Sequence, residues 1–463
     1  MAGKERVNQA FSLREPDRVP VWEMAINEES IIKLGRFFTD DLPEMKYVQE
    51  MTLEDKVKML RTLFLVVREL DMYAISSMLL LETEPLGGGL FRDSWGRVRR
   101  LSEEGEPVTV SGPISGPGDL EDYKPHHPRE SDYLMLMAAR DHFGDSISQV
   151  FPQPGPFMGS RHLVGGMEKF LRCFIKDQAF VHDMMRTFTD YVMESLDMAG
   201  KLGTDIICLD EDFAFNQTTL ISPRHYRELV LPYHKEIVEH AHGLGMFIFK
   251  HSDGNMWPIM DYLVEAGFEG FHPVQPQCMD IGELKAGYGD RLCLVGNMDR
   301  TFLLPFGDED EVERTLRDTI AAAAPGGGYV ISSSNTIHPG CRAESYTTMF
   351  EATHLGLSPG TAIATGGADT RCGLLGADCT AVGDIGMIAG TGTPVQRVTG
   401  GYTPDGEGRL WSGRHVIPGF IRPGEQLPAH RHGPGVILTH SPPGRRRSPA
   451  GAHAGGLGVG ARR

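Results

Sequence analysis

Apolar runs that end in polar pairs set the rhythm of this chain. Met246-Phe247-Ile248-Phe249 closes on Lys250-His251-Ser252-Asp253-Gly254, and Thr204-Asp205-Ile206-Ile207-Cys208-Leu209 runs into Asp210-Glu211-Asp212. Leu292-Cys293-Leu294-Val295-Gly296 likewise runs into Asn297-Met298-Asp299. A strand turns alternate side chains to one face, so His251 with Asp253, Asp210 with Asp212 and Asn297 with Asp299 are same-face pairs at strand C-terminal ends. In a parallel α/β barrel, polar groups gathered at that end of several strands mark the catalytic face.

Helical stretches separate the strands. Ser222-Pro223, a cap followed by proline at the first helical position, opens a helix predicted to run through Tyr226, Leu229, Val230, Ile237 and His240 to Gly243. Pro232 is expected to kink it. Further helices are predicted near Trp257 to Ala266, Ile281 to Tyr288 and Glu311 to Ala323, with strands from Gly270 to Gln275, Leu292 to Val295 and after Gly326-Gly327-Gly328. Met184, Met185, Met193 and Met198 fall on a helical pattern and read as core. From Arg18-Val19-Pro20-Val21-Trp22 to about His354, strand and helix alternate roughly every 20 to 45 residues, the signature of a parallel sheet. With no Gly-rich dinucleotide turn in view, a closed (β/α)8 barrel over residues 1–354 is expected rather than an open sheet.

The pattern then changes twice. Near Leu355 glycine and threonine become frequent, in Gly366-Gly367-Ala368-Asp369-Thr370 and Ala389-Gly390-Thr391-Gly392-Thr393. From Ile421 the chain is rich in Arg, Pro, Gly, Ala and His, holds Arg445-Arg446-Arg447 and has Glu425 as its single acidic residue. Few apolar groups there offset the entropy of ordering, so residues 420–463 are expected to be a disordered basic tail. His430-Arg431-His432 has metal-like spacing without supporting ligands, and the arginine run reads as solvated charge.

Composition narrows the partners. With 463 residues, 40% of them hydrophobic, the chain can bury a large core, and its net charge of -17 argues against nucleic acid or an anionic membrane surface. A protein partner or a neutral or cationic ligand is easier to accommodate. Seven dispersed cysteines, no apolar leader and no run near the roughly 18 apolar residues of a membrane span predict a reduced, soluble, cytoplasmic protein.

Several segments carry a resemblance. Glu15-Pro16-Asp17-Arg18-Val19-Pro20, Asp93-Ser94-Trp95-Gly96-Arg97, Ser222-Pro223-Arg224-His225-Tyr226, His251-Ser252-Asp253-Gly254, Gly296-Asn297-Met298-Asp299, Pro325-Gly326-Gly327-Gly328-Tyr329 and Ser333-Ser334-Asn335-Thr336-Ile337-His338-Pro339 together resemble the uroporphyrinogen decarboxylase superfamily of (β/α)8 barrels. That superfamily includes porphyrinogen decarboxylases and methyltransferases that work with corrinoid proteins. The arginine-rich N-terminal segment that grips porphyrinogen carboxylates has no clear counterpart here, so the chain looks closer to the methyltransferases. Many of those carry zinc on a His-x-Cys pair and a later Cys. Here the pair is His251-x-Asp253, Asn335 stands at the later position and Cys341 follows six residues on. The implied ligand set is therefore oxygen and nitrogen, as in members resembling O-demethylase methyltransferases.

Residues 355–419 resemble another family, the FGGY carbohydrate kinases, whose second domain is actin-like and ribonuclease-H-like. Gly366 to Gly376 matches the motif whose aspartate, here Asp369, is the base toward the sugar hydroxyl, and Ala389 to Thr393 matches a phosphate-contacting hairpin. Only the opening of that domain has a counterpart, which implies an inactive kinase fragment joined by a truncated or frame-shifted fusion.

The resemblance implies an enzyme that moves a methyl group between a small O- or N-methylated substrate and a corrinoid protein, the cobalamin being held by that separate partner. An alkoxide or phenoxide leaves poorly, and zinc acting as a Lewis acid on the heteroatom would help it depart. His251 and Asp253 are the first candidate ligands, with Asp210 and Asp212 completing the set or holding His251 in place. Asn297, Asp299, Gln275, Asn335 and His338 would orient substrate or supply a proton. The alternative is a metal-free decarboxylase of porphyrin biosynthesis in which Asp210 or Asp253 stabilises a protonated ring. Strand-end carboxylates such as Asp212 and Asp299 also have a plain use, as helix caps or arginine partners. His338 can serve as a loop anchor, and Cys341 as a reactive or an inert thiol.

Overall fold

The computed structural model describes residues 1–102 and 107–354, together with four strands at 385–387, 395–398, 410–414 and 435–439. It divides into two compact units, 1–359 and 360–463.

In the first unit Ala74–Ser76 is β1. Thr83–Gly87, Leu90–Asp93, Val98–Leu101 and Pro107–Ser111 are β2 to β5. Ser148–Pro154, Ile206–Asp210, Phe247–His251, Gly270–His272, Cys293–Val295 and Tyr329–Val330 are β6 to β11. β1 and β6 to β11 form a seven-stranded parallel sheet in sequence order. Val21 completes the ring as a one-residue eighth rung. Its carbonyl accepts from the Tyr73 N–H beside β1, and the Trp22 N–H donates to Ile331 O beyond β11.

Alternation divides each strand between two cores. Trp22, Ala74, Val150, Ile206, Cys208, Phe249, Cys293, Val295 and Val330 fill the barrel, plugged by Val7, Ala10 and Phe11 of helix Gly3–Phe11. Ile75, Phe151, Ile207, Leu209, Ile248, Phe271 and Leu294 face outward against the helices. Full burial of one such side chain is worth about 1.5–3 kcal/mol, so a one-residue slip in any strand would exchange both sets at large cost. The inward parity that places Ile206 and Cys208 also places Asp210, and Phe249 likewise leads to His251.

The helices begin where capping residues demand. Thr52 and Asp55 form a reciprocal capping box on Leu53–Glu69, and Asp308 caps Glu309–Ala323. Ile281–Tyr288 is as predicted. The helix expected from Pro223 to Gly243 is broken rather than kinked, into Pro223–Leu229 and Leu231–Gly243. Pro232 cannot donate an N–H to the preceding turn, and it sits instead in the opening turn of the second helix. The strand expected from Gly270 to Gln275 ends at His272, because Pro273 offers no N–H to extend the ladder. Met184 and Met185 are buried in helix Gln178–Lys201, as expected, while Met193 and Met198 on the same helix are only half-buried.

Two features were not foreseen. β2 to β5 make a separate antiparallel meander, inserted between β1 and β6. In the second unit β12 (Ile385–Met387), β13 (Val395–Val398), β14 (Leu410–Arg414) and β15 (Gly435–Thr439) pair antiparallel in the order β12-β13-β15-β14. β15 lies inside the stretch expected to be disordered, at its one apolar run, Val436-Ile437-Leu438. Asp369 and the kinase-like motifs around it lie outside the described residues. Among the described residues no helix is long and apolar enough to cross a membrane.

Candidate active site

At the C-terminal mouth of the barrel three carboxylates converge on one imidazole. His251 Nε2 lies 3.8 Å from Asp210 Oδ1, 3.9 Å from Asp212 Oδ1 and 3.9 Å from Asp253 Oδ1. Burial, reinforced by Lys250 and Arg300, pushes His251 down to about 3, so the ring is neutral near pH 7. It therefore gives no counter-charge to the carboxylates. Burial and then the charge of Asp212 push Asp210 up to about 8, against the opposing charge of Lys250.

The donor set fits a metal ion. One ligand atom each from Asp212, His251 and Asp253 lies within 4.8 Å of the other two. Bonds of about 2.0–2.2 Å would set neighbouring ligands roughly 3.3–3.6 Å apart in a tetrahedron. The observed separations are slightly wider, and the side chains of Asp212 and Asp253 remain 35% and 34% exposed toward the mouth. Imidazole nitrogen with carboxylate oxygen suits zinc and other divalent ions.

Neighbouring groups hold these side chains. His251 Nδ1 is 2.7 Å from His272 Nδ1 at the end of β9. Asn335 Nδ2 donates to Asp253 Oδ2 at 2.7 Å, and the Asp253 N–H donates to Asp212 Oδ1 at 3.3 Å. Arg161 Nη2 stands 3.6 Å from Asp212 Oδ2. Gly254, at φ +88°, passes so close to the preceding loop that a Cβ would stand 2.6 Å from Ala214 C. A side chain there would force the β7 and β8 loops apart.

The opposite parity of the same strand ends builds a second layer. Lys250 and Glu211 point outward, where an apolar pair would be usual, and are fully buried with Nζ 3.2 Å from Oε2. Lys250 Nζ also donates to the carbonyls of Leu209, Glu211 and His251 at 3.1, 3.1 and 2.7 Å. Glu211 accepts from the Phe157 N–H at 2.6 Å and meets His234 Nε2 at 2.7 Å, while His234 Nδ1 meets the Tyr226 hydroxyl at 2.8 Å. Against its burial, Lys250 and His234 pull Glu211 down to about 2. The network ties the ends of β7 and β8 to helix Leu231–Gly243, and so fixes the backbone that presents Asp210, Asp212 and His251. Gly155 makes room for it, since a Cβ there would fall 2.2 Å from Glu211 Cδ.

The sequence-derived candidates separate in space. Asp210, Asp212, His251, Asp253 and Asn335 come together. Gln275 sits beside them, accepting from the Gly254 N–H at 2.8 Å and donating to Asn216 Oδ1 at 3.2 Å. Asn297 is buried and donates to Val274 O at 2.9 Å. Asp299 accepts from Gln277 Nε2 and from the N–H groups of Thr301 and Phe302, a turn-capping pattern. Both ring nitrogens of His338 are engaged by main chain, Nδ1 accepting from the Gly340 N–H and Nε2 donating to Arg300 O. Burial pushes the Cys341 thiol up to about 11, which leaves it inert. His272, Arg161, Glu211 and Lys250 were not singled out from sequence. His272 ends its strand on the same inward parity as His251, a signal that was available; Arg161 lies on helix Pro156–Leu163 with no such pattern.

Comparison with known proteins bears on the family and the fold. A profile of the family described as uroporphyrinogen decarboxylase (URO-D) matches residues 2–355. A uroporphyrinogen decarboxylase of Pseudoalteromonas atlantica is 23% identical over 361 residues, covering 74% of this chain and 94% of its own length. That of Methylococcus capsulatus is 24% identical over 364 residues, covering 74% and 95%. Among solved structures, a methyltransferase from Methanosarcina mazei superposes with a TM-score of 0.59 at 19% identity, covering 77% of this chain and 99% of its own, a likeness of fold.

Proposed function

Since the chain belongs to the uroporphyrinogen decarboxylase (URO-D) family, a family of enzymes, we propose that it is a methyltransferase moving a methyl group between a small O- or N-methylated compound and a corrinoid protein. The observation that carries this reading is the convergence of Asp210, Asp212 and Asp253 on the neutral His251. Asp212, His251 and Asp253 would hold a zinc ion, which when bound supplies Lewis acidity toward the substrate heteroatom.

The chain's own residues make that site possible. Transfer breaks the bond from methyl carbon to heteroatom and leaves the electron pair on the heteroatom, so positive charge at that atom lowers the barrier. His272 orients His251, Asn335 and Arg161 orient the two flanking carboxylates, and the buried Lys250–Glu211 pair fixes the backbone beneath them. Such preorganisation keeps the donors in place without a reorganisation cost during reaction. The half-exposed carboxylates open toward the barrel mouth, where a protein-bound corrinoid would have to approach.

A decarboxylase of porphyrin biosynthesis is the second reading, favoured by the names of the curated relatives. It would use Asp210 and Asp253 to stabilise a protonated ring. One experiment separates the two. The full chain is incubated with methyl ethers and free cob(I)alamin, and in parallel with uroporphyrinogen, each with and without chelator. Chelator-sensitive methylation of the corrinoid, lost in His251→Ala, supports methyl transfer. Chelator-resistant release of carbon dioxide from uroporphyrinogen refutes it in favour of decarboxylation.

A further inference from the structure

Glu23 lies buried two residues past Val21, the rung that completes the barrel, and reaches the acidic cluster by two hydrogen-bonded arms. The first arm runs from Glu23 Oε2 to Ser332 Oγ at 3.4 Å, from there to His272 Nε2 at 3.4 Å, and from His272 Nδ1 to His251 Nδ1 at 2.7 Å. The second runs from Glu23 Oε2 to Ser333 Oγ at 2.6 Å and on to Asn335 O at 2.5 Å. The side-chain amide of the same Asn335 holds Asp253 Oδ2 at 2.7 Å. His251 and Asp253, two of the three candidate ligands, thus lead back to one carboxyl group.

The second arm places the hydrogen on that group. Ser333 has a single hydroxyl hydrogen and two close oxygens, and the Asn335 carbonyl can only accept. The hydroxyl therefore donates to Asn335, and the Glu23 carboxyl, as the neutral acid, donates to Ser333. Glu23 Oε1 meanwhile accepts from the Ser333 N–H at 2.8 Å. The titratable groups that face Glu23 are Tyr346 of helix Ala343–His354, Cys341 and, through Ser332, His272, and none of them is charged near pH 7. On its other side Met24, Ala25, Met78 and Met135 line, with Glu23, a cavity of about 70 Å³. In these surroundings burial pushes the carboxyl up to about 8.

Ionisation would reverse both arms. The Ser333 hydroxyl would turn to the new carboxylate and release the Asn335 carbonyl. Ser332 would likewise donate to it while accepting from His272, which draws the His251 Nδ1–H toward His272 and makes His251 Nε2 the stronger donor. We infer that Glu23 is a positioning residue for the metal site, leaving His251 a weak donor as the neutral acid and strengthening its hold on a divalent cation as the carboxylate. The inference rests on the metal site of the methyltransferase reading, not on methyl transfer itself. Coupling between two sites is reciprocal, so a bound cation favours loss of the Glu23 proton. The cavity beside the carboxyl has room for water to receive it.

The test measures the zinc affinity of the full chain by competition with a chromophoric chelator at pH 6.5 and pH 9, for wild type and for Glu23→Gln, which cannot ionise. The two should bind zinc alike at pH 6.5, and wild type should bind it about tenfold more tightly at pH 9. Asp210 contributes a pH dependence of its own, but both chains keep it and the comparison removes it. Calorimetric titration at pH 7.5 in two buffers of different ionisation enthalpy should show wild type releasing about half a proton more per zinc, as tenfold coupling requires of a group near 8. Ser332→Ala cuts the first arm and keeps the Glu23 charge, so it should lose most of the wild-type gain at pH 9. Should Glu23→Gln not fold, wild type against Ser332→Ala decides the matter. A difference between wild type and Glu23→Gln that is the same at both pH values would mark a purely structural role and overturn the inference. Equal affinities throughout, or a full gain in Ser332→Ala, would overturn it too. Absence of zinc binding by wild type would remove the inference together with the metal mechanism. Coupling to Glu23 without methyl transfer to corrinoid would leave the inference standing and remove the methyltransferase reading, and methyl transfer with zinc indifferent to Glu23 would do the reverse.

Discussion

His251 and His272 face each other from adjacent strands with their Nδ1 atoms 2.7 Å apart. Burial keeps both rings neutral, so one Nδ1 must donate and the other accept. If His251 turns the lone pair of Nε2 toward a cation, its Nδ1–H donates to His272, whose Nε2–H is left for Ser332 Oγ at 3.4 Å. Ser332 in turn faces Glu23 Oε2 at 3.4 Å. His272 thereby fixes both tautomer and ring orientation. His272→Phe should weaken zinc binding about 10- to 100-fold, the usual effect of removing a partner behind a metal ligand. Competition against a fluorescent chelator measures this, and unchanged affinity would remove His272 from the site.

The Lys250–Glu211 pair leads to an expectation about stability. Each is fully buried, so removing one partner strands the other, at about 3–5 kcal/mol. Lys250→Met and Glu211→Gln should each lower the urea midpoint markedly, while the double substitution should recover much of the loss. Additive losses in the double variant would show that the two side chains act independently.

Glu23 gives a pH dependence. Burial raises its carboxyl to about 8, against hydrogen bonds from Ser333 and Ser332 that act downward. Between the ordinary carboxylate range and about 8 the folded chain holds a proton that the unfolded chain has released. This contribution is present at low pH and is lost as pH rises through about 8. Glu23→Gln should therefore be more stable than wild type at pH 9, by on the order of 2–4 kcal/mol, and close to it at pH 4. Parallel thermal melts at both values check the sign, and a larger gain at pH 4 would contradict it.

Inward alternation made Asp210, Asp212, His251 and Asp253 legible before any coordinates, because a strand's period of two leaves no other face for them. His272 obeys the same rule, whereas Gln275 lies beyond Pro273, which ends the strand. Glu211 and Lys250 break the rule, since outward positions against helices are ordinarily apolar, and only their partners His234 and Tyr226, distant in sequence, make sense of them. The β2 to β5 meander escaped notice for a related reason. Arg92, Arg97, Arg99 and Arg100 interrupt its apolar alternation.

Asn335 gives a last expectation, about which atoms can reach the cluster. Its amide donates to Asp253 Oδ2 at 2.7 Å, so a side chain at this position lies against a candidate ligand rather than on a remote loop. Cysteine is shorter than asparagine and carries a soft donor that divalent zinc and cobalt accept readily once it is deprotonated. Asn335→Cys should therefore convert an oxygen and nitrogen set into one containing sulfur. Zinc affinity should rise by roughly tenfold or more, and the cobalt(II)-substituted variant should gain a thiolate-to-metal charge-transfer band that wild type lacks. Cysteine at 335 with neither change would mean that the metal, if bound, sits away from Asp253, and would move the site toward Asp210 and the mouth of β7.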